Sequence, residues 1–197
     1  MPLGAFKAAL MGTAGVSTGD VVLLSSQTAS NSATVSFTSG ITSTYGEYIF
    51  KFYNINPATD NVSFSFQANA TDSTSYDETM TTTTFRAHHY EDDSDTGLGY
   101  LTGNDQAEGT AFQAIAGNVG NAADASLAGE LHIFNPASTP YVKHFYSTTD
   151  SMSANGSSHQ NEFFAGGYIN TTTAIDDIQF KCSSGNFDGA IKMWGVK

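Results

Sequence analysis

The run Val62-Ser63-Phe64-Ser65-Phe66-Gln67-Ala68 alternates apolar and polar side chains without a break. Only an extended chain puts every second residue on one face, so the spacing predicts a strand with Val62, Phe64 and Phe66 inward and the hydroxyls outward. The same period recurs elsewhere. Tyr48, Phe50 and Phe52 share a face opposite Lys51, and Ile178, Phe180 and Cys182 share one opposite Gln179 and Lys181. Comparable runs, bounded by Gly, Asn, Asp and Ser clusters, fall at 21–26, 33–38, 80–88, 127–134, 141–147, 161–169, 175–183 and 190–196. About ten short strands with no alternating helical pattern predict an all-β chain folded as a two-sheet antiparallel sandwich, with a jelly roll as the first choice of topology.

Composition agrees and narrows the function. Fourteen Phe and nine Tyr favour pleated, half-buried surfaces. Charged residues make up 13% of the chain, against about 25% in an average soluble domain, so the surface is rich in hydroxyls rather than ion pairs. Seven Lys and Arg against 19 Asp and Glu give a net charge of −12, the wrong sign for neutralising nucleic-acid phosphates. No apolar run is long enough to span a membrane as a helix. One cysteine, Cys182, rules out a disulfide framework, and its phase with Ile178 and Phe180 makes it a small buried hydrophobe.

Two stretches depart from the strand rhythm. Leu3, Phe6 and Leu10 recur at helical spacing, but about ten residues bounded by Gly4 and Gly12 are too few for an isolated helix. Residues 1–19 are therefore expected to be a short N-terminal helical arm and hinge whose apolar stripe binds a partner. Residues 20–197 are expected to form a single sandwich domain. Within it, the acidic, then Gly- and Ala-rich stretch 90–125 is expected to be a long loop excursion with a short helical turn at 109–116.

Candidate sites are few. Asp92, Asp93 and Asp95 could offer oxygen ligands to calcium, but the spacing misses the EF-hand pattern and a solvated acidic loop is the expectation. His88 and His89 are adjacent, so on a strand they face opposite ways and cannot chelate one ion. His132 and His144 sit opposite apolar neighbours, where either could act as a base beside a carboxylate, although a strand histidine more often serves a surface. No nucleophile elbow, phosphate loop, His-Glu-x-x-His or Cys-x-x-Cys occurs. The expectation is a non-enzyme without a metal or cofactor. Tyr53, Tyr146 and Trp194 fall on the polar phase of their strands, where they would stack on sugar rings or fill an interface.

Several short segments resemble a known group. These are Leu3 to Gly12, Leu131-His132-Ile133-Phe134-Asn135-Pro136, Ala165-Gly166-Gly167-Tyr168-Ile169-Asn170, and the ending from Ser184-Gly185-Asn186 to Met193-Trp194-Gly195-Val196-Lys197. Together they resemble tailed-bacteriophage virion proteins, particularly of marine and cyanobacterial phages, with Trp194 where a Tyr is more usual. The resemblance implies a virion structural protein, with capsid decoration or cement as the first reading. Its alternatives are a tail-fibre or appendage component, or a receptor-binding domain for host-surface carbohydrate. It also implies other virion proteins as partners and a homo-oligomer, with a trimer as the family analogy. The closing Ser184-Gly185-Asn186 reads independently as a tight turn within a hairpin that completes a sheet.

Overall fold

The computed structural model describes residues 20–153 and 158–197. The expected arm residues Leu3, Phe6 and Leu10 lie outside the described residues. The strands are β1 (Val21–Ser32), β2 (Val35–Phe37), β3 (Glu47–Pro57), β4 (Val62–Ala70), β5 (Met80–Tyr90), β6 (Thr96–Tyr100), β7 (Gln113–Val119), β8 (Leu127–Phe134), β9 (Lys143–Ser153), β10 (His159–Ile169), β11 (Ile175–Cys182) and β12 (Phe187–Val196). The single helical element among the described residues is a 3-10 turn at Thr102–Asn104, so no described helix is long and apolar enough to cross a membrane.

The strands form two antiparallel sheets, a large one ordered β1-β12-β3-β8-β9-β10-β5-β6 and a small one ordered β2-β11-β4-β7. Setting aside the hairpins β5–β6 and β9–β10 leaves eight strands, with β1-β12-β3-β8 facing β2-β11-β4-β7. Counted along the chain, those sheets read 1-8-3-6 and 2-7-4-5, the doubled Greek key of a jelly roll. The two inserted hairpins join one another and extend the large sheet past β8, where it overhangs the small one.

The jelly-roll half is packed with aromatic rings. Phe180 on β11 is its hub, with the rings of Phe37, Phe50, Phe52 and Phe64 centred 6.2, 5.4, 5.4 and 5.9 Å away. The phases expected for β3 and β11 hold: Tyr48, Phe50 and Phe52 are buried, as are Ile178, Phe180 and Cys182. The Tyr48 hydroxyl donates to Thr42 O (2.8 Å) and accepts from Thr42 N (2.7 Å), which makes its burial tolerable.

Three expectations are corrected. β4 is buried on both faces, because the segments before β5 and before β7 cover its outer side. There Gln67 Nε2 donates to the carbonyls of Glu78, Thr110 and Ala111, at 3.0, 3.1 and 3.1 Å. β11 and β12 do not form a hairpin within one sheet; the turn between them crosses from the small sheet to the large. Gly185 makes that turn at φ +72°, where a Cβ would collide with Thr59 Oγ1.

The stretch 90–125, expected as a loop with a helical turn, instead contains β6 and β7. Edge pairing overrides the weak strand propensity of Thr-Gly-Leu-Gly-Tyr and Gln-Ala-Ile-Ala-Gly-Asn-Val. Between β6 and β7 the chain keeps following β5, with Leu101 N on Thr84 O, Thr82 N on Gln106 O and a Met80–Gly109 bridge. It then turns the corner to the edge of the small sheet, and the helical turn expected at 109–116 is replaced by that corner and the start of β7.

The overhanging half is polar inside. Gln113 is buried and uses every hydrogen-bonding site: Nε2 donates to Asn104 O (3.1 Å) and Ala114 O (2.9 Å), while Oε1 accepts from Thr82 Oγ1 (2.7 Å) and Gln106 Nε2 (3.1 Å). β7 is an edge strand, and its outward carbonyls are capped from the large sheet. Thr149 Oγ1 donates to Ile115 O (2.5 Å) and Asn161 Nδ2 to Gly117 O (2.8 Å). The edge is thereby closed without a further strand.

Candidate functional site

Alternation along the large sheet sends one side chain in two to its outer face, and that face carries all three aromatics singled out from the sequence. Register places Leu23, Trp194, Ile49, His132 and Tyr146 in one row across five strands. Trp194 and Tyr146 are therefore three strands apart, about 14 Å at ~4.8 Å per strand. Tyr53 lies further along β3, with the Lys192 ammonium 5.1 Å from its ring centre. The three share a face without converging on one site.

That face carries several exposed apolar side chains beside a cluster of charges. Val21 and Leu23 on edge strand β1 are 55% and 44% exposed, and Tyr146 is 45% exposed. Phe85 and Phe164 stack with centroids 4.7 Å apart, and Phe85 stays open to solvent. Trp194 is half-buried, and its indole N–H is buried without a hydrogen-bond partner among the described residues. A shallow groove of about 500 Å³ runs over Gly166, bounded by Phe134, His144, Tyr146 and Tyr168.

Sequence reasoning placed His132 opposite its apolar neighbours but did not find its partners. Its Nδ1 lies 2.5 Å from Glu47 Oε1 on β3, and its ring stacks on Tyr146 at 4.5 Å. Nε2 is 3.0 Å from Glu130 Oε1, close enough for charge attraction yet without hydrogen-bond geometry. Glu130 also meets Lys51 Nζ at 3.0 Å. The His132 ring, followed by Lys51, holds the Glu130 carboxyl below the usual glutamate range. Desolvation, reinforced by Glu47 and Glu130, pushes the Tyr146 phenol up. The cluster ties β3, β8 and β9 together at the surface.

The acidic loop is the β5–β6 turn, where each carboxylate engages a different partner. Asp92 accepts from Ser94 N (3.1 Å) and Ser94 Oγ (2.5 Å), Asp93 lies 3.1 Å from His89, and Asp95 lies 3.2 Å from His88. The Ser94 hydroxyl and amide hold the Asp92 carboxyl below its ordinary range. These contacts turn the three groups apart, and no metal-holding cluster of His, Cys, Asp or Glu occurs among the described residues. His144 is exposed beside Tyr168, 6.1 Å between ring centres. Cys182 is buried, and desolvation pushes its thiol up to about 12.

No family model matches this chain, and no curated protein matches it. It is similar to a solved structure from Bacteroides ovatus, described as structural genomics of unknown function, at 6% identity and a TM-score of 0.28. The match covers 52% of this chain and 44% of the other, so it spans less than half the length of that structure.

Proposed function

We propose that this chain is a non-enzymatic structural protein of a phage virion, a capsid decoration module that joins copies of itself and other virion proteins through the outer face of its large sheet. The observation that carries the reading is the open band formed by Val21, Leu23, Tyr146 and Phe85 with the half-buried Trp194. Apolar surface concentrated in this way marks an association site, and sparse charge suits a packed interface. The jelly-roll order is compatible with this role, as it is with many others, and the virion context comes from the resemblance of the closing segment.

Sedimentation equilibrium tests the association. Copies should assemble beyond the 20.8 kDa monomer, and the pair Val21→Glu with Leu23→Glu, both on the exposed face of edge strand β1, should return them to monomers with an unchanged melting temperature. A monomer at high concentration overturns self-association. Antibody labelling of virions tests the location: capsid label supports decoration, tail label supports the appendage alternative, and no label overturns the virion assignment.

The groove over Gly166, flanked by Tyr146 and Tyr168, favours a second reading, a receptor-recognition domain that stacks host-surface sugars. Glycan-array binding that disappears in Tyr146→Ala would select it.

A further inference from the structure

The overhang ends in a second site, on the inner side of the large sheet and away from the proposed association face. Arg86 is the chain's only arginine, in a protein with 19 carboxylates. Nevertheless it makes no ion pair and no hydrogen bond among the described residues. Alternation along β5 puts it on the same face as Thr84, and it lines a cleft of about 270 Å³ where the corner segment stops closing the gap between the sheets. The walls are Ser63 on β4, Asn104 in the 3-10 turn, Asn118 on β7, and Asn161 and Phe163 on β10. Arg86 is the only charged residue in this lining.

One feature of the walls points to a ligand, and a second explains how Asn118 comes to line the cleft. Asn161 is 1% exposed, and the bond from its Nδ2 to Gly117 O fixes the amide orientation, leaving Oδ1 buried with no hydrogen bond among the described residues. Buried amide oxygens are almost always satisfied, so this wall calls for a donor, which an oxyanion does not itself supply and a hydroxyl on the body that carries it does. Asn118 has φ +57°, and a register shift in the β4–β7 pairing lies between Val62 and Phe64, opposite Val119 and Ala116. Such bulges re-aim a side chain out of the ladder, here at the cleft.

We propose that this cleft binds a small oxyanion, a carboxylate, sulfate or phosphate group, with the Arg86 guanidinium as its anchor and the Asn and Ser side chains serving hydroxyls on the body that carries it. The guanidinium offers a planar fork of donors matched to two oxygens at once, and the lining contains no carboxylate to compete for it. Phe163 supplies an apolar wall. The volume lies just below the roughly 300 Å³ at which drug-sized pockets begin, which limits the guest to an ion or a single acidic sugar.

The test is a titration of the 15N-labelled protein with sodium sulfate, sodium phosphate, glucuronate and neutral glucose at constant ionic strength. Amide shifts confined to Gly117, Asn118 and Asn161 are expected with at least one anion and not with glucose. Arg86→Gln should weaken that binding at least tenfold, and Arg86→Lys should recover only part of it. Because Arg86 holds no partner among the described residues, both variants should melt as the wild type does. Saturation by sulfate or phosphate alone supports the Arg86 anchor without the Asn161 contact, and response to glucuronate alone supports an acidic sugar that uses both. Equal response to glucose and glucuronate, equal affinity in Arg86→Gln, or no localised shift with any anion overturns the proposal.

Discussion

Phe180 and Gln113 lie in one sandwich, in halves built by different rules. Around Phe180 the space between the sheets is filled by rings whose attraction is non-directional, so phase alone settles which side chains enter. Around Gln113, the buried set is Thr82, Thr84, Thr149, Ser151 and Asn161, and each bond requires a donor and an acceptor at one distance and angle. The aromatic half supplies the driving force for folding. The polar half supplies geometry: it fixes where the corner segment runs and where the Arg86 cleft opens. A chain that extends a jelly roll by two hairpins has an overhang that the small sheet cannot cover, and hydroxyls and amides bridge it by capping the free carbonyls of β7.

The largest effect should come from the aromatic half. Phe180→Ala removes a ring with no exposed surface from the centre of five neighbours, and should cost about 3 to 5 kcal/mol in urea unfolding. Gln113→Leu should follow at about 2 to 4 kcal/mol, because a side chain of similar size leaves the Thr82 hydroxyl and the Asn104 carbonyl unsatisfied. Hydrogen exchange should separate the two. Gln113→Leu should speed exchange in 101–112 and spare β3 and β11, whereas Phe180→Ala should lower protection in both sheets. Uniform loss in both variants would mean that the halves unfold as one unit and that the contrast is only chemical.

The two halves also differed in how far they could be read in advance. Alternating aromatic and polar residues in β3, β4 and β11 announce both strand and inward phase, since only one phase is apolar. β9 offers no such contrast: Ser147, Thr149, Ser151 and Ser153 point inward while Thr148 and Asp150 point outward, so both phases look wet. β6 and β7 look like loop because Gly and Ala carry little strand propensity, and the partners that impose the strand state lie elsewhere in the sequence. The outer aromatics Tyr53, Tyr146 and Trp194 were legible as a phase but not as separate positions. Arg86 was not legible at all. In Thr82-Thr83-Thr84-Phe85-Arg86 the apolar ring reads as the inward residue, whereas the overhang turns Phe85 to solvent and Arg86 to the cleft.

A finer comparison lies within β9. Thr149→Val keeps the shape of the side chain but removes the donor that caps Ile115 O, and should cost about 1 to 2 kcal/mol by thermal unfolding. Ser147 is equally buried, but its hydroxyl has no partner among the described residues. Ser147→Ala should therefore be neutral or slightly stabilising, since it removes an unsatisfied polar atom. Equal losses at the two positions would show that carbonyl capping is not what makes the polar interior stable.

The smallest effect belongs to the outer face, where solvent competes for every charge. Lys51 and Glu130 form an exposed pair, for which mutational cycles generally give less than about 1 kcal/mol. Glu130 nevertheless has a pH signature. Its folded carboxyl is held below the ordinary 4.5 by His132 and then Lys51, so the folded state binds fewer protons than the unfolded state in this range. The associated stability is therefore present above about pH 4.5 and is lost as pH falls through the folded value. Because the group is more than a third exposed, the loss should stay below about 0.5 kcal/mol after screening. Glu130→Gln should flatten this acid limb in melting curves between pH 6 and pH 3 without changing the basic side. An unchanged or steeper acid limb in Glu130→Gln would mean that the Glu130 carboxylate is not the source of this acid sensitivity.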